Sequence, residues 1–108
     1  MLWLHFVGWF FGGALLANAL PHLLSGVLGH FLPSPFASPP FKGLSSPVVN
    51  TLWGLANVAL SYVLLARVGA FEARSLPHAG VFFVGFSLMA LQCARALGRL
   101  RLEAEDGR

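Results

Sequence analysis

No side chain before Lys42 carries a formal charge, and no acidic residue occurs before Glu72. Charged residues make up 10% of the 108-residue chain, where soluble domains carry about 25%. A chain this poor in charge cannot dress a soluble surface. Cysteine is almost missing too. Cys93 stands alone, so no intramolecular disulfide can staple the fold. No acidic residue falls inside a long apolar run, so none is placed there to complete a metal site. HExxH and CxxCH spacings are absent, and Gly12-Gly13 lies within an apolar run rather than in a phosphate-binding loop.

What is present is apolar. Hydrophobic residues reach 56%, and the mean hydropathy is +0.72. Three uncharged runs precede Lys42, lie between Lys42 and Arg67, and lie between Arg74 and Arg95. Each is long enough to cross a bilayer, which takes about 20 apolar residues. The chain therefore reads as one all-α membrane domain, residues 1-108, with three transmembrane helices. The first runs over about 2-29 and is kinked at Pro21, because proline removes a backbone donor. Whether residues 22-30 continue that helix or lie flat is left open by the sequence. Residues 31-47 hold five prolines and read as a loop, with Phe31, Phe36 and Phe41 five apart. That loop is a connector at the interface, or a lid over a cavity.

Ser46 and Pro47 start the second helix as N-cap and first-turn proline, and it covers 48-66. The third covers 78-97, after Pro77. Residues 98-108 form a charged tail expected to fray in water. Ala17-Asn18-Ala19 has a small-x-small form, but no basic segment precedes it, so the first helix is expected to be retained rather than cleaved.

Lys42, Arg95, Arg99, Arg101 and Arg108 fall on one side of this topology, Arg67 and Arg74 on the other. The positive-inside rule then places the N-terminus outside and the C-terminus in the cytoplasm, in the inner (plasma) membrane. The same distribution explains the net charge of +3 without nucleic-acid binding.

Polar residues in the spans are the candidates for function. Asn50, Gly54, Asn57 and Ser61 recur at steps of four, three and four, on one helix face. Ala14, Asn18, His22, Gly26 and His30 recur at steps of four. Two readings follow. In the first, these faces are helix contacts: Gly8, Gly12, Gly26 and Gly54 allow close approach, and Asn, Ser and His bond across. The protein then acts by association, as a homo-oligomer or as a subunit or scaffold of a larger membrane complex. In the second, Asn18, His22, Asn50, Asn57 and Ser61 line a path for a small solute, since an ionisable group in a span needs a reason. His22 and His78 are weak candidates for a metal or haem. No cofactor is expected, and no nucleophile has an evident base, so no enzyme activity is expected either.

Asn18-Ala-Leu-Pro-His22, Pro33-Ser-Pro-Phe-Ala37 and Gly43-Leu-Ser-Ser-Pro-Val-Val-Asn50-Thr-Leu-Trp53-Gly54 resemble small bacterial integral membrane proteins of no assigned activity, over about residues 12-60. That resemblance implies a membrane location and no particular chemistry. Small multidrug transporters are similar in size, but have four spans and a membrane glutamate that this chain lacks.

Overall fold

The computed structural model describes residues 2-106, apart from the side chains of Ala104 and Asp106. It is all-helical: α1 is Leu2–Val27, α2 is Pro47–Ala66 and α3 is Leu76–Asp106. All three are long and apolar enough to cross a membrane. The molecule is elongated, 51 × 24 × 22 Å. Arg108 of the expected tail lies outside the described residues.

The helix ends follow from local chemistry. α1 passes through Pro21 and stops after Val27. There the His30 N–H bonds the Ser25 carbonyl and the Gly29 N–H bonds the Gly26 carbonyl. Gly29 takes φ +79°. This is a Schellman stop, with glycine in the left-handed position that side chains resist. So residues 22-27 continue the helix and residues 28-30 do not, two residues short of the expected end. α2 begins as expected: the Ser46 side chain accepts from the Val49 N–H at 3.2 Å, and Pro47 opens the first turn.

α3 departs from the expected end at Leu97 and continues to Asp106. The charges after Gly98 suggested a frayed tail. Arg, Leu, Glu and Ala are nevertheless strong helix formers. Arg99 and Glu103, and Arg101 and Glu105, also stand four apart with opposite sign, a spacing that supports a helix surface. At 31 residues α3 is about 46 Å long, well beyond a hydrocarbon core of roughly 30 Å.

α1 lies in the middle. It packs on both α2 and α3, while no Cα of α2 comes within 8 Å of one of α3 among the described residues. α1 and α2 run antiparallel, as Ser61 meets Gly12 and Asn50 meets His22. α3 runs parallel to α1, with Phe6 beside His78 and Asn18 beside Cys93.

The distribution of side chains is the reverse of a soluble core. Buried positions are small or polar: Gly12, Gly13, Ala14, Ala17, Gly26, Asn50, Gly54, Asn57, Ser61 and Gly85. Among the described residues, Trp9 is the one large apolar side chain that is fully buried. Large apolar residues cover the outside instead, among them Leu52, Leu55, Leu60, Phe83, Leu88 and Leu91. Water would penalise that surface by about 25 cal/mol per Å². Lipid tails do not, and helices in lipid associate through small residues and hydrogen bonds.

Glycine sets both interfaces. A Cβ on Gly54 would lie 2.8 Å from the Leu23 backbone nitrogen, and one on Gly26 would strike the backbone of Thr51. A Cβ on Gly13 would overlap the Phe82 carbonyl, and one on Gly85 the Phe10 carbonyl. At 100° per residue, adjacent Gly12 and Gly13 address different neighbours, α2 and α3 respectively. Gly8 and Gly12 meet only side chains, those of Leu64, Leu65 and Val68. The glycine face of α2 is thus used within the chain. Gly54, expected as a helix-packing position, meets Leu23 of the same molecule.

Candidate functional site

The polar residues form a seam between α1 and α2. At its loop end, Asn50 is 0% exposed and joins three segments. Its Nδ2 donates to the carbonyls of Leu32 at 3.0 Å, Ser45 at 3.0 Å and Ser46 at 3.2 Å. Since the amide nitrogen is committed to carbonyls, Oδ1 is the acceptor toward His22 Nδ1, 2.7 Å away. His22 Nδ1 is therefore the donor. Leu32 and Ser45 also pair as an antiparallel bridge, and the Ser34 and Ser45 hydroxyls hydrogen-bond to each other. The proline-rich loop is folded against the helices through these contacts, and Phe36 rests edge-on against Trp53 at 5.3 Å.

Deeper in the seam, Asn18 links all three helices. Its Nδ2 donates to Asn57 Oδ1 at 3.2 Å, and its Oδ1 accepts from Cys93 Sγ at 3.7 Å. Asn57 Nδ2 returns to the Trp53 carbonyl at 2.8 Å. Ser61 closes the row by donating to the Gly12 carbonyl at 2.7 Å. No buried side-chain nitrogen or oxygen among the described residues lacks a partner. Of the five residues considered as a solute path, Asn50, Asn57 and Ser61 are turned wholly into the helix contact, His22 is 8% exposed, and Asn18 alone of the five borders a furrow beside α3.

The other end holds an aromatic cluster. Trp9 Nε1 donates to the Val68 carbonyl at 2.8 Å, and its ring meets Phe6, Phe71 and His78. His78 Nδ1 accepts from the Glu72 N–H at 3.0 Å. The neighbours of His78 and of His22 on α1, Trp9 and His22 itself, are 13 residues apart, or about 20 Å. The two histidines thus belong to opposite ends and cannot share an ion. No group of three or more metal-ligating side chains occurs among the described residues. His5 lies tilted beside Trp9, and His30 lies exposed after the helix stop.

No family model matches this chain, and no curated protein or solved structure matches it. The likeness seen in Asn18–His22, Pro33–Ala37 and Gly43–Gly54 rests on those residues alone.

Sequence reasoning did not find the furrow. Three adjoining cavities of about 370, 500 and 460 Å³ meet around Leu100, between the loop and the C-terminal half of α3. The inner end is bordered by Asn18, Gln92 and Cys93, the walls by Pro33, Phe41 and Leu97, and the mouth by Lys42, which shares one cavity with Arg101 and the adjoining one with Arg99. Lys42 and Arg101 are 59 positions apart in sequence. No local pattern could have joined them.

Proposed function

We propose that this is a three-span protein of the inner (plasma) membrane that works by associating with other membrane components, as a subunit or scaffold. The observation that carries the reading is the inverted distribution of side chains. Small and polar groups are consumed in internal contacts, while large apolar groups face outward on α2 and α3. A solute path along the seam is less well supported, because its polar atoms already have partners inside the molecule. The association surface is then the outer face of α2 or α3, not the Gly54 stripe.

Orientation follows from charge. Lys42, Arg99 and Arg101 share one end, next to the furrow, and Arg67 and Arg74 lie at the other. The richer end belongs in the cytoplasm. Exposed positions Ala73 and Ser38 report the two sides. In a Cys93→Ala background, an impermeant maleimide is expected to label Ala73→Cys in intact cells, and Ser38→Cys only after permeabilisation. The opposite pattern would invert the topology, and labelling of both in intact cells would remove the three-span reading.

Association has its own test. A photo-reactive residue replacing Leu55, on the exposed face of α2, is expected to give a discrete protein adduct in native membranes. The same is expected for Leu91 on α3. Lipid adducts alone at both positions would remove the association reading while leaving the membrane reading intact.

A further inference from the structure

We infer that the furrow between the proline-rich loop and α3 is a binding site for one anionic phospholipid, its phosphate at Lys42 and Arg101 and one acyl chain running inward along Leu97 toward Asn18. The inference rests on the membrane reading above and adds a ligand to it.

Three features point to this occupant. The first is charge. Lys42 and Arg101 border one cavity, whose lining holds no acid, and Lys42 borders the adjoining one with Arg99 and Glu103. All four are exposed, so a headgroup can reach them. Guanidinium groups bind phosphate oxygens in pairs, and an ammonium group adds a point charge. The second is the wall. Below the mouth it is Phe31, Leu32, Pro33, Leu44, Leu97 and Leu100, which suits a hydrocarbon chain and not a free polar anion.

The third is length. Gln92, at the inner end, lies nine residues before Arg101 on α3. That is about 14 Å along the helix axis. Half of a hydrocarbon core is about 15 Å. The furrow therefore follows the direction and depth of a lipid chain in one leaflet. Its constituent cavities also fall within the roughly 300–1,000 Å³ range of ligand sites.

The loop makes this a site rather than a charged helix end. Asn50 fixes Leu32 and Ser45, and Lys42 borders two cavities together with residues of α3. Phe41 borders two of the three cavities. A flexible connector would leave Lys42 free to wander among headgroups. Here the Lys42 N–H is bonded to the Pro39 carbonyl, and the residue borders one cavity with Arg101 and the adjoining one with Arg99.

The test uses the full chain in mild detergent. Native mass spectrometry reads retention of phosphatidylglycerol against phosphatidylethanolamine with the same acyl chains. One phosphatidylglycerol per chain is expected to be retained in preference. Lys42→Ala and Arg101→Ala should each weaken phosphatidylglycerol retention about fivefold and leave phosphatidylethanolamine unchanged. Leu97→Trp, which fills the furrow and keeps every charge, should weaken it about tenfold. Leu100→Phe serves as a second filler, and helical content by circular dichroism reports folding of each variant. Arg95→Ala, exposed and off the furrow, should change nothing. Equal losses from Arg95→Ala and Arg101→Ala would mean diffuse charge attraction and overturn the site. Indifference to both fillers, or a co-purifying polypeptide displaced by Leu97→Trp, would overturn it as well. Alkaline extraction of the same membranes separates the two readings. Protein released to the soluble fraction sinks the membrane reading, whereas protein retained without lipid preference sinks only the furrow.

Discussion

Asn50→Asp is expected to cost about 3–5 kcal/mol and to release the proline-rich loop. The substitution is nearly isosteric, so packing barely changes. What changes is donor chemistry. Asn50 Nδ2 faces three carbonyl oxygens, those of Leu32, Ser45 and Ser46. An aspartate in its place presents oxygen to oxygen, and does so at a position with 0% exposure. It must either bury an unpaired charge or take up a proton, and each carries a large penalty. The His22 bond does not compensate. His22 already donates to Oδ1, so the new carboxylate keeps that one donor and loses the two hydrogens that served the carbonyls.

Asn50→Leu should be milder, about 2 kcal/mol, because it removes bonds without adding charge. The carbonyls of Leu32 and Ser45 keep each other's N–H groups in the β-bridge. Unfolding in mixed micelles, followed by circular dichroism, gives the ranking. If Asn50→Asp proved as stable as the parent, the residue would be facing a hydrated path and not a helix seam. The same result would also detach the loop from the lipid site.

Gly85→Ala is expected to loosen α3 from α1, with a net loss of about 1–3 kcal/mol. Propensity argues the other way, since alanine in a helix is favoured over glycine by about 1 kcal/mol. Geometry decides the sign. The new Cβ would overlap the Phe10 carbonyl, which is backbone and cannot swing aside. The helices must separate, and separation weakens the facing contact of Gly13 on Phe82 and Phe86. Gly80→Ala and Gly98→Ala provide the contrast. Nothing lies within 4 Å of either new methyl group, so both should be neutral or stabilising. Unfolding midpoints of the four proteins are the measurement. A stabilised Gly85→Ala would mean that α1 and α3 are farther apart than the structure has them.

Much of the seam could be read directly from residue spacing. Asn50, Gly54, Asn57 and Ser61 share a face by helical arithmetic alone, and all four are buried. Asn18, His22 and Gly26 followed the same logic on α1 up to His30, which the Gly29 stop throws out of the helix. The partner of that face was not legible. A row of small polar groups has the same pattern whether it meets water, a second copy or its own neighbour. Gly13 and Gly85 were hidden for a related reason. A single glycine in a span has no periodicity, and its meaning lies in the backbone opposite. The doublet Gly12-Gly13 was the one available hint, because a central helix with two neighbours needs small residues on two faces. The end of α3 was misjudged because charge density was weighed above helix propensity. The furrow depends on residues from two distant segments, and only the folded chain brings them together.

The central placement of α1 has a consequence for the order of assembly. α2 and α3 each lean on α1 and not on each other. During synthesis, α1 and α2 emerge first and can close as a hairpin, with the His22–Asn50 and Gly12–Ser61 bonds made before α3 exists. α3 then docks onto an already finished surface, through Gly13 and the aromatic cluster around Trp9. Damage to the α3 contact should leave that hairpin standing. Damage to α1 dissolves everything, because the other two helices have nothing else in common.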